Sequence, residues 1–126
     1  MESFYKEHND YKNALMLELQ KKYKLAIIIW NQPTGVFFSK AGTPYKIGQP
    51  GQSDLYGGYT IRIKDDDYSL LFNIEVKTRG GKLTKKQKLN RELSLKKGIA
   101  YFVAHKERHS IFLKEFDNWI QKIENL

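Results

Sequence analysis

The stretch that decides the fold is Ser69-Leu70-Leu71-Phe72-Asn73-Ile74-Glu75-Val76-Lys77-Thr78, followed by Arg79-Gly80-Gly81. Its apolar and β-branched residues predict a strand, and the glycine pair predicts where that strand stops. Side chains alternate along a strand, so Glu75 and Lys77 project to one face while Val76 turns the other way, into the core. A carboxylate and an ammonium at the end of an otherwise apolar strand read either as a structural ion pair or as half of a reactive site.

Upstream, Asp54 to Lys64 alternates Tyr59, Ile61 and Ile63 as a second strand, and Asp65-Asp66-Asp67 reads as the acidic turn of a hairpin. Asp54 stands 21 residues before Glu75, at the start of the paired strand, so the hairpin can bring the two carboxylates together. Leu25 to Trp30 reads as a buried strand leading into the polar turn Asn31-Gln32-Pro33-Thr34-Gly35, after which Val36 to Phe38 could resume it. Ser39 to Ser53, dense in Gly, Pro, Ser and Thr, reads as a loop over or beside a site. An opening helix capped by Asn9 or Asp10 carries the stripe Tyr11, Leu15, Leu19 and Tyr23 and frays near Lys24.

Downstream, Thr84 starts a helix that runs to Lys97 and stops at Gly98; Thr84-x-x-Gln87 is a capping box. Ile99 to His105 is a short strand, and Phe112, Phe116, Trp119, Ile120 and Ile123 share the buried face of a closing helix. The expectation is one α/β domain over residues 1–126, with a mixed central sheet flanked by helices in the order α-β-β-β-α-β-α.

The 126 residues include no cysteine, which excludes disulfides, thiolate zinc sites and cysteine nucleophiles. The three histidines show no paired ligand spacing and read as surface or strand-end residues. No P-loop pattern and no calcium-loop pattern occurs. The longest apolar run, Leu25 to Trp30, is far below the roughly 20 residues of a membrane helix, and the Met1 region carries no export signal. The expectation is a cytoplasmic protein with no membrane partner. The formal charge is +8, and Val76 to Lys97 alone holds nine basic residues against the single acid Glu92. Such a field attracts a polyanion, nucleic acid above all, although a solvated lysine-rich helix face has the same composition.

Two adjacent carboxylates repel each other unless a divalent cation lies between them, and oxygen ligands favour magnesium or manganese. A nearby lysine can orient an attacking water or stabilise developing charge, which completes the residue types needed to hydrolyse a phosphodiester.

Gly51-Gln-Ser-Asp54-Leu, Ile74-Glu75-Val76-Lys77-Thr78 and Gly81-Lys-Leu-Thr84-Lys-Lys-Gln87, in that order, resemble the virus-type replication-repair nuclease (VRR-NUC) domain of the PD-(D/E)XK superfamily. The resemblance spans roughly Asp10 to Val103 and rests on the joint order of three motifs. It implies a restriction-endonuclease-like core and a Mg2+- or Mn2+-dependent DNA endonuclease of phage-type replication, recombination or repair. Asp54, Glu75 and the Val76 carbonyl would bind the metal, Lys77 would be the catalytic lysine, and Gln87 the glutamine near metal and substrate. Members place an acid near the start of the first helix, which points to Asp10, with Glu7 and Glu18 competing; an acid there is also ordinary dipole complementation.

Asn31 and Thr34 resemble the family's polar turn, a candidate phosphate contact that a plain exposed turn would also explain. Lys40, Lys46, Lys82, Lys85, Lys86 and Lys88 are candidate DNA contacts. Ser53 replaces the superfamily's proline, and no DNA-recognition module is appended, which favours cleavage directed by DNA structure: junctions, branches or nicks. A homodimer is expected for a core that cuts both strands. The rivals are a nucleic-acid-binding module of the same fold that has lost turnover, and an interaction protein whose basic helix meets an acidic partner.

Overall fold

The computed structural model describes residues 4–32, 35–47 and 51–126. The described residues form three helices and six strands in the order α1 (Phe4–Tyr23), β1 (Ile27–Asn31), β2 (Gly35–Phe38), β3 (Pro44–Ile47), β4 (Leu55–Ile63), β5 (Asp66–Lys77), α2 (Lys85–Lys96), β6 (Ala100–His105) and α3 (His109–Glu124). Short 3-10 turns precede β1 and α3. The main sheet has the order β1-β4-β5-β6, with β5 and β6 parallel and the other pairs antiparallel. The architecture is therefore mixed α/β with a four-stranded mixed sheet flanked by helices. None of these helices is long and apolar enough to cross a membrane.

The β4–β5 hairpin turns on Lys64 and Asp65, where Lys64 takes a left-handed φ of 57°. Asp66 and Asp67 lie inside β5 rather than in the turn, and Asp67 stands opposite Arg62, whose guanidinium is 3.8 Å from its carboxylate. Charge pairing across the strands makes Asp67 an acceptable strand residue, and the acidic turn is shorter than its sequence suggests. β5 then stops at Lys77, and the chain crosses over through α2 to place β6 parallel beside it.

One face of the sheet carries the core. Ile27, Ile29, Leu55, Tyr59, Ile61, Phe72, Ile74, Val76, Phe102 and Ala104 are buried against Tyr11, Leu15 and Leu19 of α1 and Phe112, Phe116, Ile120 and Ile123 of α3. Phe116, fully buried, meets Phe72 at a ring-centroid distance of 5.2 Å and Phe102 at 5.0 Å. The aromatic stripe of α3 is thus core, as its spacing predicts. Gly57 lets β1 and β4 close against this face, since a Cβ there would fall 2.7 Å from Phe72 Cζ and 2.0 Å from the Ile28 carbonyl oxygen.

Three expectations need correction. The first helix begins at Phe4, so Asn9 and Asp10 lie within it; Asp10 is held by Lys6 one turn earlier at 2.9 Å, and neither residue acts as the cap. Residues 35–38 do not resume β1 but pair with 44–47 as a separate two-stranded ribbon, so the expected loop from Ser39 to Ser53 contains a strand. The turn between them is closed by Ser39, whose backbone N–H donates to the Thr43 carbonyl and whose hydroxyl accepts from the Thr43 N–H. Finally, β1 is only half buried: Ile28 and Trp30 are 48% and 45% exposed, because alternation turns them away from the core face that buries Ile27 and Ile29.

Candidate active site

Extending the Leu55–Ile74 register by one residue sets Asp54 opposite Glu75. Asp54 Oδ2 accepts a 2.8 Å hydrogen bond from the Val76 N–H, which fixes the carboxylate against β5 just beyond the end of β4. The loop that carries it is anchored on both sides. Gln32 N donates to the Asp54 carbonyl at 2.8 Å, and the buried Ser53 hydroxyl donates to the Leu55 carbonyl at 3.2 Å. Ser53 thus restrains by hydrogen bonding the backbone that a proline ring would restrain covalently. Gly51, at φ +84°, passes so close to α2 that a Cβ would lie 2.5 Å from the Lys86 carbonyl oxygen.

Glu75 is 3% exposed, and its Oε2 is buried with no hydrogen-bond partner. It also lies against the Asp54 carboxylate. Two acceptors in contact form a hydrogen bond only when one of them is protonated. Burial, and then the charge of Asp54, push Glu75 up to about 9, so it holds the proton at neutral pH. Burial opposes ionisation of Asp54 as well, but the His8 imidazole and the Val76 N–H outweigh it and hold Asp54 below its ordinary value. The pair is a protonated acid beside a carboxylate, a state that a cation would displace.

Gln87 joins this pair to the helix that follows. Its Nε2 donates to Glu75 Oε1 at 2.9 Å, while its Oε1 accepts from Lys77 Nζ at 2.9 Å and from the Thr84 N–H at 2.9 Å. Thr84 Oγ1 in turn accepts from the Gln87 N–H at 3.2 Å, completing the capping box. One side chain therefore caps α2 and aligns two site residues. Lys77 Nζ also lies 3.8 Å from Glu75 Oε1, so both face the same side of β5 as alternation requires.

His8 is a member of the site that its sequence context did not announce. Its Nε2 is 3.1 Å from the Val76 carbonyl oxygen and 3.7 Å from Asp54 Oδ2. The contact with Asp54 raises the imidazole above its ordinary value. A signal existed: positions 8, 11, 15 and 19 continue one stripe on α1, which carries His8 to the sheet end of the buried face. The acids of that helix are engaged elsewhere. Glu7 binds Arg79 at 2.5 Å and Lys106 at 3.2 Å, Glu18 binds His109 at 2.9 Å, and Asp10 is exposed beside Lys6. The structure thus does not bring Asp10 to Asp54 and Glu75.

Lys82, Lys85, Lys86 and Lys88 are exposed around the start of α2, on the site's side of the sheet. Asn31 ends β1 opposite Leu55, one residue from the Asp54 loop, and Lys40 is exposed in the β2–β3 turn. Thr34 and the side chain of Lys46 lie outside the described residues.

Among the described residues no three His, Asp or Glu side chains gather into a ready-made metal cage. The donor chemistry nevertheless fits a hard divalent cation: two carboxylates in contact, one with an orphaned buried oxygen, and the Val76 carbonyl beside them. No protein-family model matches this chain, and no curated protein matches it at a significant level.

Proposed function

We propose that this chain is a Mg2+- or Mn2+-dependent DNA endonuclease with a restriction-endonuclease-like core, of the VRR-NUC kind that its motifs resemble. The observation that carries the reading is the contact of half-buried Asp54 with buried Glu75, which has an unpartnered carboxylate oxygen, beside a lysine that a helix-capping glutamine holds in place. A structural ion pair alone would satisfy the lysine and the glutamate with each other and would not need a second carboxylate against the buried one.

Asp54, Glu75 and the Val76 carbonyl would hold the cation, and His8 steadies the first and the last of these from α1. A bound divalent ion supplies Lewis-acid polarisation of the phosphodiester and makes water more acidic. The chain's own residues do the rest. Lys77 Nζ, on the same face as Glu75, orients the attacking water or stabilises the charge that builds on the phosphate as the bond to the leaving sugar oxygen breaks. Gln87 keeps Lys77 and Glu75 in register. The exposed lysines around the start of α2 neutralise flanking phosphates, and the N-terminal end of that helix adds its dipole.

Structure-directed cleavage of junctions, branches or nicks is the favoured substrate class, in phage-type replication, recombination or repair, because the basic residues of this domain reach phosphates rather than a defined base sequence. Two copies are the natural assembly for cutting two strands.

The test is cleavage of labelled linear duplex, flap, four-way junction and single strand with magnesium, manganese or chelator. Wild type is compared with Glu75→Ala and Lys77→Ala. Metal-dependent cutting is expected in the wild type alone, with DNA binding largely retained in Lys77→Ala. Binding without cutting under every metal would instead identify a nucleic-acid-binding module that has lost turnover. Light scattering of the protein with and without a junction reads the assembly.

A further inference from the structure

A cavity of about 360 Å³ opens next to the site, between the Gly80-Gly81 loop, α2, β6 and the turn that precedes α3. Lys82, Lys88, Arg91, Arg108 and His105 line it, and no acidic side chain does. None of the four Lys and Arg side chains makes an ion pair with a described residue. Four cations around one concavity, none of them in an ion pair with a described residue, repel each other, and an anion among them relieves that repulsion. A second cavity of about 290 Å³ shares Arg91, His105 and Arg108. It is also lined by Tyr101, whose hydroxyl oxygen is buried without a partner, and by the acid Glu115.

The position of the first cavity is as informative as its charge. Val103 and His105 form its β6 wall, and they stand directly opposite Glu75 and Lys77 in the parallel ladder. Neighbouring strands are about 4.8 Å apart, so the cavity begins one strand spacing from the catalytic pair. Gly80 leaves its part of the mouth open, since nothing lies within 4 Å of where a Cβ there would be, while the Lys77 side chain packs beside Gly81.

We propose that this cavity binds a terminal phosphate of a nucleic-acid strand whose neighbouring phosphodiester lies at the Asp54–Glu75 pair. The inference takes its substrate class from the nuclease reading. An end phosphate carries a charge of about −1.5 to −2 at pH 7 and three free oxygens. Two guanidinium forks and two ammonium groups match that ligand better than an internal phosphodiester, which has a single charge and two free oxygens. A volume of about 360 Å³ admits the phosphate together with its sugar. Bound there, an end would set the distance at which the strand is cut, so that nicks, flaps and gaps with phosphorylated ends become preferred substrates.

The experiment measures binding by fluorescence anisotropy in chelator, where no cutting occurs, to nicked duplexes and short single strands. These carry a phosphate or a hydroxyl at the 5′ end and, separately, at the 3′ end. Wild type is compared with Arg108→Gln and Arg91→Gln, and thermal unfolding verifies that both variants fold; Arg108 is exposed. A phosphorylated end is expected to bind roughly tenfold more tightly than its hydroxyl counterpart, the worth of one bidentate charge-assisted contact, and each variant should abolish that difference. Equal affinity for phosphate and hydroxyl ends overturns the proposal. So does a preference that both variants retain. A uniform loss of affinity in the variants, without any end preference in the wild type, would overturn it by assigning the cavity to internal backbone phosphates. Because cleavage is absent from this assay, an end preference in a protein that cuts nothing would leave the cavity standing while the nuclease reading fell. Cutting without end preference would do the reverse.

Discussion

Glu75 is a carboxyl group placed out of reach of water, beside a second carboxylate and with one oxygen unpartnered. Unfolded, it would ionise near its ordinary 4.5, whereas the folded protein holds the proton to about 9. Its contribution to stability is therefore fully present below pH 4.5 and is lost as pH rises towards 9. Asp54, held below its ordinary value, acts in the opposite sense: its contribution is present above 3.8 and disappears as pH falls below that value. Glu75→Gln keeps the shape and removes the titration. In chelator its melting temperature should exceed the wild type's at pH 8 and converge on it by pH 4. Parallel melting curves across that range would mean that Glu75 ionises normally in the fold. Added Mn2+ should raise the melting temperature of the wild type but not of the variant. His8 is tested by calorimetry: His8→Ala should weaken Mn2+ binding roughly tenfold or more, as expected for a residue that orients ligands. Unchanged affinity would confine His8 to packing α1 on the sheet.

At the scale of elements, α2 does unusual work for a helix that buries only Ser94. Leu89 and Leu93 are 55% and 46% exposed, so little apolar burial holds the helix down. Its attachments near the site are polar: Gln87 to Glu75 and Lys77, and Ser94 to Asn73 at 3.1 Å. If the chain binds DNA as proposed, the basic surface of α2 should account for much of the salt dependence of that binding. Replacing Lys85, Lys86 and Lys88 together by Gln should lower affinity and reduce the slope of log K against log salt by about 0.9 for each phosphate no longer neutralised. An unchanged slope would move the DNA surface elsewhere. The start and end of α2 are legible in the sequence because a capping box and a following glycine are local signals: Thr84 caps it, and Gly98 at φ +77° follows it. The β2–β3 ribbon is not legible, since its two four-residue strands are defined by each other across a turn. Asn9 and Asp10 mislead for a related reason. Both are good caps, yet the Lys6–Asp10 pair one turn apart lets the helix run through them.

Across the whole molecule the layers have opposite duties. α1 and α3 seal one face of the sheet around Phe72, Phe102 and Phe116, and that rigid face sets the register in which Asp54 meets Glu75 on the β4–β5 hairpin. Phe116→Ala should cost about 3–5 kcal/mol and lower the denaturation midpoint without changing the m-value. A loss below about 1 kcal/mol would show that α3 is not the lid of the core. What could be read from residue order alone was whatever depends on neighbours in the chain: the alternation that puts Glu75 and Lys77 on one face, the stripes of α1 and α3, the capping of α2, and the hairpin that lets Asp54 approach Glu75. What required the folded protein was whatever depends on distant segments. α1 brings His8, rather than Asp10, to a sheet end 68 residues away in sequence. Glu75 retains its proton because burial and Asp54 act on it together. Arg91 and Arg108, 17 residues apart in the chain, share one cavity wall because β6 lies parallel beside β5. Periodicity reports which side of an element is buried, but only packing decides which elements meet there and which charges are left without partners.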